Sequence, residues 1–460
     1  MKRLVLVGGG HAHVHVLDRL AESGGWSGAE VVMVAPPRHH YSGMLPGYLQ
    51  GQYGEADLRF DLPALCRAAG VRFVDGLAIR IEVDSGQGGR VHLSDRTIPF
   101  HHCSMDVGSA PRTWGVPGVK DHALSLRPTS RVLELDRRLA GLALRGAVPK
   151  PGSAASEQGD AASTSGSVVS EPRVAASRAG GSAPGAAVVV VGAGAAGFEV
   201  AVAVAVRSGA EVTLVEESPQ LLPGYSARVR RKAHAVLDRW GVRFLPGTAA
   251  LEVNDGQVRV GEGRSAGSDE GPATRSEEEA AVSTRDGARP SDVGLGAQST
   301  NRGRGRSLPS DLTIWLAGAG PPPLLAQSDL PLTDEGFFAV DQSLRAVDGV
   351  PVWGAGDCIG LRGYPWMPRA GVYAVRQAPV LARNLEMALT EEGVGSFHSY
   401  EPQASFLSLL NTGKGRALLR WKRLVYEGRG AWWLKDWIDS RFMRRYHELE
   451  SATLEEEDSQ

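Results

Sequence analysis

The chain has 460 residues, 42% of them hydrophobic and 22% charged, and a formal net charge of −2, the proportions of a soluble globular protein with two or three domains. That near-neutral balance excludes a concentrated basic surface for nucleic acid and argues against an acidic substrate, and no apolar run is long enough to span a bilayer. Three cysteines, Cys66, Cys103 and Cys358, lie far apart with no Cys-x-x-Cys pair, which suits a reducing, cytoplasmic compartment and offers no neighbouring thiols to shuttle electrons.

The chain opens on Met1-Lys2-Arg3 and the apolar run Leu4-Val5-Leu6-Val7. That run is too short for the core of a signal peptide and breaks into glycines, so it reads as a buried first strand. The loop Gly8-Gly9-Gly10-His11-Ala12-His13 follows. It has the turn and close-approach glycines of a dinucleotide-binding loop, but His13 stands where a third glycine would let helix pack on strand. Helix and strand are therefore expected to lie further apart at His13. The next strand, Glu30-Val31-Val32-Met33-Val34, ends at Ala35 without the acid that ordinarily accepts from a ribose, which leaves Arg38 or a backbone group for that task. His11, His13 and His15 raise the question of a metal. On a helix residues 11 and 15 share a face and 13 does not, and no Cys or acid is grouped with them; His39-His40 and His101-His102 lie on separate segments. No metal site is expected, and the histidines are read as hydrogen-bonding groups around a cofactor.

Residues 148–186 are dominated by Ala, Ser, Gly and Pro, and residues 261–309 are similar but more charged, with the run Arg302-Gly303-Arg304-Gly305-Arg306. Neither shows apolar periodicity, so both are expected to be disordered insertions, the arginine run a solvated loop. Between them, Val188-Val189-Val190-Val191 leads into Gly192-Ala193-Gly194-Ala195-Ala196-Gly197. This is a complete G-x-G-x-x-G: glycines for the turn, for approach of the pyrophosphate and for helix–strand packing, with the anion on the helix N-terminus. A helix over 198–207 and the strand Glu211-Val212-Thr213-Leu214-Val215 follow, ending at Glu216, where the fingerprint places a carboxylate for the ribose hydroxyls. Glu216 and Glu217 together would repel a 2′-phosphate and favour NADH. Two such openings amount to an internal repeat of a dinucleotide-binding unit.

Strand-like Leu312-Thr313-Ile314-Trp315-Leu316 and Val350-Pro351-Val352-Trp353 come next; such continuous apolar runs indicate parallel sheets covered on both faces. Near the C-terminus, Trp433, Leu434, Trp437, Ile438 and Phe442 fall on one stripe of a helix, with Lys435, Asp436, Ser440, Arg441 and Arg444 elsewhere. The stripe is expected to pack on the rest of the protein or on a partner subunit. Tryptophan at an apolar edge beside basic residues also suits a membrane interface.

The segments Val5-Leu6-Val7-Gly8-Gly9-Gly10-His11-Ala12-His13-Val14, Tyr41-Ser42-Gly43-Met44-Leu45-Pro46-Gly47, Gly371-Val372-Tyr373-Ala374-Val375-Arg376-Gln377-Ala378-Pro379 and Phe406-Leu407-Ser408-Leu409-Leu410-Asn411-Thr412-Gly413 closely resemble the pyridine nucleotide-disulfide oxidoreductase superfamily. The branch most similar is the one fused in some bacteria to selenide, water dikinase; type II NADH:quinone dehydrogenases and ferroptosis-suppressor-like quinone reductases are similar in architecture. The resemblance implies FAD on the first loop, against Gly8, Gly9, Gly10, His11 and Ala12. It makes Gly354-Ala355-Gly356-Asp357 a second FAD motif, with Asp357 accepting from a ribityl hydroxyl. Gly108 and Gly318 match glycine crossovers between the domains. Glu199 matches a glutamate near the flavin–nicotinamide contact, Gln377 a residue near the isoalloxazine, and Pro46 a segment covering the flavin. On the residues alone, Glu199 could equally be a first-turn acid stabilised by the helix dipole. The family's best-known members carry a redox cysteine pair. The scattered cysteines here imply direct transfer from flavin to acceptor, and with no ATP-binding half selenophosphate synthesis is not expected.

The resulting expectation is an α/β protein of two Rossmann-like dinucleotide-binding domains plus a C-terminal α+β segment. Residues 1–147 form the first part of an FAD-binding domain, 148–186 an insert, 187–317 an NAD-binding domain with the insert 261–309, 318–395 the second part of the FAD domain, and 396–460 the C-terminal segment. Hydride would pass from NAD(P)H, NADH preferred, to FAD and then to a quinone or another small acceptor. The alternative is a flavin-binding sensor or partner protein with little turnover, linked to selenium metabolism. The expected partners are the small-molecule acceptor, a second copy in a homodimer, and a membrane's inner face touched peripherally by the C-terminal segment; nucleic acid is not among them.

Overall fold

The structure is a computed structural model that describes residues 1–84, 88–147, 185–263, 305–390 and 396–458. β1 (Lys2–Val7) runs into α1 (His11–Ser23), which Gly10 caps and Gly24, left-handed at φ +67°, ends. β2 (Ala29–Ala35), the short helix α2 (Leu45–Leu49), β3 (Arg72–Asp75) and β4 (His102–Met105) follow. After β5 (Ala123–Ser125) the same order recurs in β6 (Ala187–Val191), α3 (Ala195–Ser208), β7 (Glu211–Val215) and β8 (Arg243–Leu245). Next come β9 (Thr248–Asn254), β10 (Gln257–Glu262), β11 (Arg306–Pro309), β12 (Leu312–Trp315), β13 (Val352–Gly354) and α4 (Gly371–Thr390). The described chain closes with β14 (Ser408–Asn411), β15 (Ala417–Trp421), β16 (Leu424–Gly428) and the long helix α5 (Arg429–Asp458).

Two five-stranded parallel sheets organise these elements. The first has the order β13-β4-β1-β2-β3 and the second β5-β12-β6-β7-β8. In both, the chain winds outward from the glycine-loop strand (β1 or β6) and then crosses to its other side. The order reverses there, at the carboxyl end of the central strand, which is where such sheets leave a crevice for a ligand. Both glycine loops sit at that point. Apolar residues of both sheets, including Leu4, Leu6, Val32, Val190, Leu214, Ile314 and Trp353, join one buried core, which explains the uninterrupted apolar runs.

Three expectations need correction. The expected first block, 1–147, runs past the first sheet, because β5 is paired with β12 in the second. The expected insert 261–309 takes in real strand: β10 continues to Glu262, and β11 starts at Arg306 and pairs antiparallel with β10. The strand ends carry the composition of the insert, so composition misplaced the boundary. The helix expected over 198–207 starts earlier, at Ala195, because Gly194 caps it. The disorder expected of 148–184 and 264–304 lies outside the described residues.

Candidate functional site

The middle loop is built as its spacing predicts. Gly192 has φ +99°, a conformation open to glycine, and an added Cβ would lie 2.8 Å from the Leu316 and Ala317 backbone. A Cβ on Gly194, by contrast, would meet nothing within 4 Å, leaving room above the N-terminus of α3. At Gly197 the Cβ would fall 1.7 Å from the Gly192 carbonyl oxygen, so only glycine lets α3 pack this close. Glu216, at the end of β7, folds back onto the loop, where its carboxyl accepts from the Ala193 N–H and the Ser218 N–H.

The first loop solves the same packing problem differently. His13 is fully buried; its Nδ1 lies 2.7 Å from the Gly8 carbonyl oxygen and its Nε2 2.8 Å from Ser104 Oγ. A carbonyl only accepts, so Nδ1 carries the proton and Nε2 accepts from the serine hydroxyl. The imidazole thus joins the loop to β4 and satisfies the Gly8 carbonyl. Burial lowers its pKa to about 4, keeping it neutral. His11 turns elsewhere, toward His39, Tyr41 and Phe442 at ring-centroid distances of 5.7, 5.4 and 6.0 Å, while His15 faces Asp18.

Behind the loop stands Asp106, which the sequence reading passed over. Its Oδ2 accepts from the Ala12 N–H at 2.8 Å and the His13 N–H at 3.3 Å, and burial pushes the carboxyl up to about 7. Gly356 (φ +76°) touches the same carboxyl and donates its N–H to Gln377 Oε1 at 2.7 Å. Asp357 receives Arg127 at 3.2 Å and Ser109 at 3.3 Å, two further residues that no motif announced. The crossovers beyond Gly108 (φ +70°) and Gly318 (φ +88°) pair with each other through Ala110–Pro111 and Ala319–Gly320. Pro46 is buried in α2, and Arg38 is exposed just past β2.

Glu199 lies in the second turn of α3, with no acid in the first. It accepts from the Asn411 N–H at 2.6 Å, tying α3 to β14, and burial raises its pKa to about 7. Lys435 of α5 acts on it as an opposite charge, and the orientation of α5 overturns the expected stripe. Lys435 and Asp439 are buried, whereas Trp433 and Trp437 are 65% and 50% exposed. Lys435 Nζ donates to Asp439 at 2.6 Å and to the Gly43 carbonyl at 2.7 Å, and Tyr41 donates to Asp439 at 3.0 Å. Paired in this way the charges can face inward. The other part of the expectation holds: α5 packs on the first block, with Phe442 against Tyr41 and Arg445 bonded to Asp18.

These residues fit an FAD on the first loop. The buried Nε2 atoms of His11 and His39 lack a hydrogen-bond partner among the described residues, as they would if a bound group supplied it. Among the same residues no group of three or more His, Cys, Asp or Glu is placed to hold a metal ion, and no helix is long and apolar enough to cross a membrane.

NDH2 of Plasmodium falciparum, solved with NADH, superposes with a TM-score of 0.70 at 12% identity, covering 98% of each chain. The sulfide:quinone oxidoreductase of Aquifex aeolicus gives 0.67 at 14% identity, covering 98% of this chain and 92% of the other. The type II NADH:quinone oxidoreductase of Staphylococcus aureus is 22% identical over 139 residues, 30% of this chain and 34% of the relative. The match thus spans about a third of the length of these curated relatives. Pyridine nucleotide-disulphide oxidoreductases match residues 2–382, and the chain belongs to that family of FAD-dependent NAD(P)H enzymes.

Proposed function

We propose that the protein takes hydride from NADH onto FAD and passes the electrons directly to a quinone or another small acceptor, without a redox disulfide. The state of the thiols carries this reading. Cys66, Cys103 and Cys358 are all buried and unpaired. Burial pushes Cys66 up to about 12 and the other two higher still. A dithiol relay needs two neighbouring thiols, one of them readily ionised, so the flavin is left as the last carrier within the chain.

In this reading Gly8, Gly9, Gly10, His11 and Ala12 hold FAD on the first loop, with Pro46, Gly108, Gly356 and Asp357 around it and Arg38 near its adenosine end. Gly192, Gly194, Gly197 and Glu216 hold the nicotinamide nucleotide, with Glu216 and Glu217 disfavouring a 2′-phosphate. Bound FAD supplies the hydride chemistry, and the chain supplies alignment and electrostatics. Glu199, with a carboxyl near pH 7, can hold or release a proton at working pH. Gln377 is turned onto Gly356, which supports a part in fixing the second flavin motif rather than in proton transfer. A groove of about 770 Å³ between α5 and the segment after α2, lined by Met44, Tyr53, Trp432, Asp436 and Met443, has the mixed apolar and polar lining that a quinone ring suits. The exposed Trp433 and Trp437, beside exposed Arg441 and Arg444, support peripheral contact with a membrane. A homodimer is the remaining proposal, to be read from the solution mass.

Stopped-flow mixing of the flavin-loaded protein with NADH tests the assignment. Rapid bleaching of the flavin band, reversed by a soluble quinone, is expected; no bleaching with NADH or NADPH would favour a flavin-binding protein with little turnover.

A further inference from the structure

The carboxyl of Asp106 occupies the anion position of the first loop. It accepts from Ala12 and His13, the second and third residues of α1, and its backbone oxygen accepts from the Gly10 N–H at 3.1 Å. It sits where only glycine leaves room for it: a Cβ on Gly10 would lie 2.3 Å from Oδ1, and one on Gly356 2.6 Å from the same oxygen. One carboxyl is therefore pressed between both flavin motifs. The internal repeat supplies the contrast. After β12, the counterpart of β4, the chain reads Leu316-Ala317-Gly318 where the first unit reads Asp106-Val107-Gly108, so the middle loop carries no acid at this place.

A helix N-terminus favours one anion there. A pyrophosphate and a carboxylate sharing the same N–H groups repel each other. Resting on the reading that FAD lies on the first loop, we propose that Asp106 is a cofactor-positioning residue that is protonated when FAD is bound, so that FAD binding takes up one proton wherever the free protein holds Asp106 ionised. The neutral carboxyl then remains as a clip between the two motifs.

The surroundings agree. The histidines of the same helix turn, His11 and His13, are both lowered to about 4 by burial and therefore neutral. From the segment after β13 come Asp357, a like charge whose own cation is Arg127, and the Cys358 thiol, which burial keeps protonated. Gln377 of α4 and Ser104 of β4 are neutral. Burial therefore dominates and raises the free protein's Asp106 to about 7. Below that pH, FAD binds with no proton change; above it, affinity falls about tenfold per pH unit.

Diluting the flavin-loaded full chain and following flavin fluorescence gives Kd across pH 6 to 9. The expected profile is flat at the acid end and rises about tenfold per unit at the alkaline end. Titration calorimetry of FAD into the flavin-stripped full chain at pH 8, in buffers of different ionisation enthalpy, should count close to one proton taken up. Asp106→Asn should bind FAD at pH 8 at least as tightly as the wild type and flatten the profile. A flat wild-type profile, an unchanged slope in Asp106→Asn, or zero protons taken up each overturns the proposal. Should the variant not fold, the wild-type proton count decides alone. Failure to bind FAD at any pH would remove the cofactor reading and this proposal together, whereas binding without proton uptake removes the proposal only.

Discussion

Replacing Gly197 by alanine puts a methyl carbon 1.7 Å from the Gly192 carbonyl oxygen and 2.8 Å from its carbon. Both are backbone atoms at the turn, so no side chain can relax to make room. To reach even 3.0 Å from that oxygen, α3 must retreat from β6 by about 1.3 Å (3.0 less 1.7). The retreat carries with it the N–H groups at the start of α3 and the Glu199 carboxyl. A misplacement of about 1 Å in a positioning element costs on the order of 100-fold. The expected outcome for Gly197→Ala is thus an apparent Kd for NADH about 100-fold higher, read from the concentration dependence of flavin bleaching in stopped flow. Flavin content and spectrum should stay unchanged, because the first loop sits on the other sheet. Gly194→Ala is the companion variant. Its Cβ meets nothing within 4 Å, so melting should not move, and NADH binding should weaken only through the closeness of the pyrophosphate. An apparent Kd for Gly197→Ala within about threefold of wild type, less than 1 kcal/mol, would refute the reasoning, since the helix would then have had room to spare.

Lys435→Met strands the buried Asp439 carboxylate without its cation and should cost about 3–5 kcal/mol, seen as a lower urea midpoint. Adding Asp439→Leu should recover most of that loss, and a double variant less stable than the single would discredit the pairing. Glu199 has a folded pKa near 7 against an ordinary 4.5. The stability it contributes is therefore full below 4.5 and lost as pH rises through 7; the melting temperature of Glu199→Gln should fall less than the wild type's over that range, and parallel curves would count against the buried-carboxyl account. Trp433→Ser combined with Trp437→Ser should reduce pelleting with anionic liposomes while leaving NADH-dependent flavin bleaching intact. Equal pelleting would remove the membrane contact.

The middle loop was legible in the sequence because its third glycine and its acid answer to atoms of the loop itself. Gly197 reads against the Gly192 carbonyl, and Glu216 against the Ala193 N–H. The first loop was only half legible. His13 looked like damage to a motif, and its reason lies in Ser104, far along the chain. Likewise nothing local marks Asp106, Ser109 or Arg127, which act only once β4 and β13 lie side by side. Hydropathy misjudged α5 for a related reason. A helical wheel ranks Trp433 and Trp437 above Lys435 and Asp439 as buried positions. The wheel cannot see that Gly43 and Tyr41 satisfy the charged pair, and desolvation deters burial only of charges left unpaired.

The two dinucleotide units share one strand, loop and helix grammar but place their acid differently. In the second, Glu216 stands at the end of β7 and reaches only the Ala193 N–H ahead of α3, whose own N-terminus has no side-chain cap and no acid in its first turn. In the first, β2 ends at Ala35 without an acid, and the carboxyl sits instead at the N-terminus of α1. These placements suit different residence times. A substrate nucleotide must come and go, and a site whose anion position is open and whose ribose acid lies to one side does not link its binding to a buried proton. A resident cofactor need not leave. A carboxyl that is neutral in the complex and ionised in the empty protein makes release dependent on losing a proton from a buried site. The absence of an acid after β2, first read as a weakness of the N-terminal motif, belongs with the presence of Asp106 after β4.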